Sequence, residues 1–265
     1  MPIYLAFSPE EAQAARATGR PLACLGYQLS PDAPALLAPE PEPDFPCLLV
    51  LQDSTSPSYG PNETLAHLVA QYAADCHTGI LCDITRPEDA FWQAFLGSLD
   101  EACARTNTPL WVPAAYGRAA PRAWVTLSSD TIQLPFAQFL ENAAAAWPER
   151  CVLELRPLSC RMALPCPAGQ EAPMDRAALS QALAREESPD FLSEELLCRY
   201  GLTETGGPAA LLFDTAETLA KKLEAAEAAG FRAAVGLYQE LLPYGLTEPA
   251  AAPAAAEGGI PETAG

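Results

Sequence analysis

Short, uninterrupted apolar runs alternate along this chain with longer segments whose apolar residues recur every three to four positions. The runs are residues 3–7, 22–29 (L-A-C-L-G-Y-Q-L), 47–52 (C-L-L-V-L-Q), the I-L-C-D that follows Gly79, 110–116, 123–128 (A-W-V-T-L-S), 151–156 (C-V-L-E-L-R) and 232–241 (R-A-A-V-G-L-Y-Q-E-L). Continuous apolarity of this length marks strands covered on both faces, as in a parallel sheet. The segments between them read as helices. Ser8-Pro9-Glu10-Glu11 supplies an N-cap, a proline at the first helical position and a glutamate three residues after the cap, so a short helix is predicted over 9–17, ended by Gly19. Asn62 can cap a helix over 63–75, with Leu65, Leu68, Val69 and Tyr72 on one face. Pro87 opens the next, which turns Phe91, Phe95, Leu96, Leu99 and Cys103 inward. An alanine-rich helix is predicted over 134–147, and another over 217–229, capped by Asp214 or Thr215 and stopped by Gly230.

Three stretches break the alternation. Residues 31–46 hold six prolines and no period, which predicts an extended surface connection. Only residues 117–122 separate the fifth run from the sixth. A parallel crossover normally takes about a dozen residues or more, so this one is reduced to a loop. Residues 157–213 carry strand-like segments at 159–164, 196–202 and 209–213, a helical one at 175–187, and a hairpin turn T-E-T-G-G-P from Thr203 that includes Gly206 and Gly207. They form a small β-rich insertion before the last helix. Residues 247–265, rich in Ala, Pro, Gly and Glu, read as a disordered tail behind a barrel domain of residues 1–246. Eight strands in order, most followed by a helix, in a chain of 265 residues predict an α/β fold, a (β/α)8 TIM barrel.

Composition narrows the function. Hydrophobic residues make up 49%, which excludes disorder of the whole chain. The 34 acidic against 15 basic residues give a charge of −19, a field that repels phosphate backbones and anionic lipid, so no nucleic-acid or membrane partner is expected. No window approaches ~18 apolar residues, and the N-terminus lacks a basic n-region, which places the protein in the cytoplasm. The nine cysteines are odd in number and form no C-x-x-C pair, as expected of buried free thiols in a reducing compartment. With only His67 and His77, no histidine-rich metal site can be built. No phosphate loop or dinucleotide fingerprint is present, so neither metal nor cofactor is expected. Both histidines fall away from the C-terminal ends of the strands, where barrel chemistry takes place. Nothing in the sequence sets an oligomeric state.

Thr78-Gly79-Ile80-Leu81-Cys82-Asp83-Ile84-Thr85 fills the frame D-G-x-D-x-D-x-E and resembles the fourth-strand motif of glycoside hydrolase family 18, the chitinase-like barrels. The segment L-F-D-T-A-E-T-L-A-K-K-L-E-A-A-E-A-A-G with the strand after it is similar to that family's last helix and strand, and the insertion occupies a comparable place. The resemblance implies an inward face carrying two aspartates and then the glutamate that protonates the glycosidic oxygen, with the substrate's acetamido group as nucleophile. Asp83 stands at the position of the assisting aspartate. Leu81 replaces the first aspartate, and Thr85 replaces the acid. A threonine hydroxyl is far too weak an acid for that work. The implied function is a barrel that binds a carbohydrate or related polar ligand without efficient hydrolysis.

Two alternatives stand beside it. Asp83 could pair with Glu154 or Glu240 in a relocated mechanism, retaining if the carboxyls lie ~5–5.5 Å apart and inverting at ~6.5–9.5 Å. Against this, an inward Glu154 is expected to be held by Arg156 or Arg199 as a buried ion pair. The third reading is a protein-interaction barrel whose mouth is closed by residues 157–213. Candidate ligand contacts are Asp53 at the end of strand three, Thr85, Arg86 and Arg156. Tyr116 and Tyr238, at the ends of strands five and eight, could stack on a sugar face. Ser128, Ser129 and Asp130 form a further polar loop at the same end.

Overall fold

In the computed structural model the described residues are 1–53, 56–165, 171–185, 190–204 and 207–248. Eight parallel strands close into a barrel: β1 (Ile3–Phe7), β2 (Leu22–Leu29), β3 (Leu48–Gln52), β4 (Gly79–Asp83), β5 (Leu110–Pro113), β6 (Trp124–Ser128), β7 (Cys151–Glu154) and β8 (Ala233–Leu237). Each pairs with the next, and β1 pairs with both β8 and β2, so the barrel is closed. The predicted (β/α)8 architecture is the observed one. Leu36–Leu37 adds a short antiparallel piece to β2 inside the proline-rich connection.

The helices α1 (Ala12–Ala17), α2 (Glu63–Cys76), α3 (Ala90–Thr106), α4 (Phe136–Ala146) and α6 (Ala216–Ala228) form the outer layer, and α5 (Arg176–Arg185) belongs to the insertion. Their starts follow the capping chemistry. Asn62 Oδ1 accepts from the Thr64 amide at 2.8 Å. Thr215, rather than Asp214, caps α6 through a reciprocal pair with Thr218. Strand residues alternate between two cores. Leu49, Leu51, Ile80, Cys82 and Leu153 face the helices, whereas Ala6, Val50, Leu81, Trp111 and Val235 face the barrel axis. Trp111 stacks on Trp124 with centroids 5.4 Å apart and meets the edge of Tyr4 at 4.8 Å. All three lie near the N-terminal ends of their strands, so this aromatic plug fills the lower barrel and confines open space to the C-terminal mouth. Gly79, at the start of β4, has φ +154°, and a Cβ there would sit 2.8 Å from the Pro109 carbonyl oxygen.

Between β5 and β6 there is no helix, as the spacing predicts. Arg150 makes this tolerable. Its guanidinium donates to the carbonyls of Ala123 (2.7 Å), Gly117 (3.2 Å) and Ala120 (2.9 Å), satisfying groups that a helix would otherwise cover. The insertion is a five-stranded antiparallel sheet in the order Ala172–Pro173, Ser159–Ala163, Ala209–Phe213, Cys198–Thr203, Phe191–Ser193, with α5 beside it.

Four expectations are corrected. Strand five ends at Pro113, and Ala114–Tyr116 is a 3-10 turn. Strand seven ends at Glu154. Strand eight ends at Leu237, after which Tyr238–Leu241 coils into one helical turn. In all three, a sequence that suits either state follows the last residue with a ladder partner. The chain also stays packed beyond the expected start of the tail: Thr247 is buried, and the Glu248 carbonyl accepts from Arg20 Nε at 2.7 Å. Residues 249–265 lie outside the described residues. Among the described residues eight cysteines are free thiols, seven of them buried. Cys166 and Gly206 also lie outside the described residues.

Candidate functional site

The C-terminal ends of the strands bring inward-facing polar side chains above the apolar interior. Val50, Leu81 and Val235 form the floor of a pocket of about 100 Å³, and Asp83, Glu154, Arg156 and Glu240 stand around it. At Arg156, Leu237 and Glu240 the pocket meets a wider groove of about 710 Å³. This groove runs between the β6 loop, with Ser128 and Asp130, and the insertion, with Ser159, Pro173 and Met174. The described residues of the insertion border the mouth and leave the groove between them and the β6 loop.

Asp83 is held from β3. Gly26 lies at a register shift in β2 with φ +103°, and its amide donates to Gln52 Oε1 at 3.0 Å. That leaves Gln52 Nε2 to donate to Asp83 Oδ2 at 3.3 Å. Glu154, the last residue of β7, faces the axis and forms an ion pair with Arg156 Nε at 2.7 Å. Burial pushes the Glu154 carboxyl above its usual range. Arg156 opposes the rise, and the nearby negative charges of Asp83 and Asp130 add to it. Arg156 is placed by its backbone, whose amide donates to Ser129 Oγ at 3.0 Å while its carbonyl accepts from the same hydroxyl at 3.1 Å.

Behind Ser129 lies a fully buried ion pair, Lys222 Nζ to Asp214 Oδ2 at 2.8 Å. Lys222 also donates to the Ser129 carbonyl at 3.1 Å, and Asp214 accepts from the Leu158 amide at 2.8 Å. The pair therefore ties α6, the β6 loop and the start of the insertion into one rim.

Other candidates lie elsewhere. Asp53 is buried but turned to the neighbouring loop, where it accepts from the Thr85 amide at 2.9 Å and the Thr85 hydroxyl at 3.3 Å, with Arg86 Nε at 3.7 Å. Arg86 also donates to Ser56 Oγ at 2.9 Å. None of the three lines the pocket or the groove. Extending the inward face of β4 from Leu81 and Asp83 to Thr85 fails because the strand ends at Asp83. Tyr116 is buried, and its hydroxyl donates to the Arg86 carbonyl at 2.6 Å. Burial, with the charges of Asp53 and Asp89, pushes that phenol up to about 12. Tyr238 packs half-buried against the outer core. Neither tyrosine offers a stacking face to the mouth, which corrects that expectation. Arg199 pairs with Asp190 at 2.6 Å, leaving Arg156 as the partner of Glu154.

Sequence reasoning missed Gln52 and Glu171. Gln52 is legible in hindsight as the polar end of an apolar strand, two residues after inward Val50. Glu171 reaches the groove only through the folding of the insertion. Among the described residues, no group of three or more His, Cys, Asp or Glu side chains is arranged to hold a metal ion. The site can hydrogen-bond and charge-pair with a polar ligand, and it presents Asp83 and Glu154 to one space.

No family model matches the sequence, and no curated protein is similar to it. Solved structures are. A chitinase from Chromobacterium violaceum superposes with a TM-score of 0.62 at 14% identity, over 90% of this chain and 95% of that one. A glycoside hydrolase family 18 N-acetylglucosaminidase from Paenibacillus barengoltzii superposes at 0.59 and 12% identity, over 92% and 99% of the two chains. A chitinase-like agglutinin from Robinia pseudoacacia does so at 0.57 and 12% identity, over 92% and 97%. With its closed eight-stranded barrel and the insertion before the last helix, the chain has the fold of the glycoside hydrolase family 18, chitinase-like barrels.

Proposed function

We propose that this protein is a chitinase-like barrel that binds a carbohydrate at its C-terminal mouth without hydrolysing it efficiently. One observation carries the reading. Thr85, which the motif resemblance puts at the position of the family's acid, has its amide and hydroxyl both taken by Asp53 outside the pocket, while Asp83 remains at the pocket held by Gln52. The shared fold with an agglutinin supports binding as a function that this architecture can serve alone. The test is calorimetric titration of the chain with N-acetylglucosamine oligomers alongside an assay of released reducing ends. Binding that weakens in Asp83→Asn, with no turnover above background, is the expected result. Robust wild-type hydrolysis lost in that variant would overturn it.

A second reading, hydrolysis through relocated carboxylates, is favoured by the placement of Glu154. It shares the pocket with Asp83, and burial raises its carboxyl, as a general acid requires. The 2.7 Å pair with Arg156 works against this by favouring the charged form. Turnover abolished by Glu154→Gln, with the acid's titration above the ordinary glutamate range, would select this reading over the first.

A further inference from the structure

We propose that the cleft selects a cationic ligand, an oligosaccharide of amino sugars bearing free, protonated amines rather than acetylated ones. The inference rests on the carbohydrate-binding reading above. Among the described residues, the pocket and groove present five carboxylates, Asp83, Glu154, Glu240, Asp130 and Glu171, against the single guanidinium of Arg156. Arg156 is paired with Glu154, so Asp83, Glu240, Asp130 and Glu171 face the two spaces with no second cation among the lining residues. A cleft lined by one sign of charge concentrates ligands of the other, and the −19 charge of the whole chain acts in the same direction.

The carboxylates are also spread out. Asp83 and Glu154 lie in the pocket, Glu240 at its junction with the groove, and Asp130 and Glu171 along the groove. That layout suits a linear ligand with several amines, not one compact cation, and the same side chains are not grouped to hold a metal ion. Among the described residues, no aromatic side chain lines either space. The ring stacking that would hold a neutral sugar face is missing, and charge becomes the main source of affinity. The hydroxyl of Ser159, a residue that borders the groove, is buried without a hydrogen-bond partner.

The test is calorimetric titration of the full chain, at about pH 6 so that the amines are protonated, with the glucosamine tetramer, the N-acetylglucosamine tetramer and tetralysine. The glucosamine tetramer should bind roughly tenfold more tightly than its acetylated counterpart, and ~0.5 M salt should erase most of that preference. Glu240→Gln and Asp130→Asn, both at exposed positions, should each weaken it several-fold, whereas Glu141→Gln on the exposed face of α4 should not. Equal or tighter binding of the acetylated tetramer overturns the charge selection and leaves the carbohydrate reading standing. Binding of neither sugar overturns both. Tetralysine binding as tightly as the glucosamine tetramer would reassign the cleft to basic peptides. A loss in Glu141→Gln matching that in Glu240→Gln would trace the effect to the diffuse field of the chain and refute a built cleft.

Discussion

At the barrel mouth, burial raises the Glu154 carboxyl, and a dependence of stability on pH follows. Its folded-state pKa lies above the ordinary glutamate value of 4.5, with burial as the largest cause. Between that value and the raised one, the folded protein holds a proton that the unfolded chain has released. Stability therefore falls as pH rises through the window, and the penalty persists above it. Glu154→Gln removes the titration. The stability of the variant relative to wild type should increase from about pH 4 to about pH 8, as read by urea unfolding at both ends. A margin that is flat or shrinks would mean that pairing with Arg156 outweighs burial. The charge of Asp83 contributes to the shift, so Asp83→Asn should reduce the same pH dependence.

The elements around the site depend on the Lys222–Asp214 pair, both of whose side chains are fully buried. Lys222→Met would leave Asp214 charged and uncompensated, at a cost of about 3–5 kcal/mol, a large share of a typical domain's ~5–15 kcal/mol. The double change Lys222→Met with Asp214→Asn should recover most of the loss, because the asparagine carbonyl can still accept from Leu158 N. Denaturant midpoints of the three proteins check this, and a double variant no more stable than the single would refute it. Strands covered on both faces announce themselves as continuous apolar runs, so all eight barrel strands and the missing helix were legible. Strand ends were not, because Tyr238-Gln-Glu-Leu suits a helical turn as well as a strand. In the site, inward Asp83 followed from period two along β4. Arg156 could be named from the end of strand seven, but the Ser129 contacts that place it could not, and Glu171 reaches the cleft only through the folding of the insertion.

At the scale of the whole molecule, the barrel has a continuous hydrogen-bonded wall but an incomplete jacket. Helices α2 and α3 cover β3 and β4, whereas at the seam between β5 and β6 the connection has no helix and is covered by the Trp147 ring and the Arg150 guanidinium instead. Arg150 reaches this seam from the N-terminal end of β7, and its carbonyl also accepts from the Val125 amide of β6 at 2.7 Å. Local opening should therefore begin there. Hydrogen–deuterium exchange followed by mass spectrometry should find peptides over 110–128 exchanging before those over 48–52 and 79–83, and an equal or reverse order would refute it. Pro113 and Thr126, from the same two strands, line the pocket on the opposite face. A ligand that touches both strands there would favour the closed seam. Occupancy of the mouth and loosening of the bottom are then opposing terms of one equilibrium, and Arg150→Ala should weaken binding from the far side of the barrel without touching the ligand.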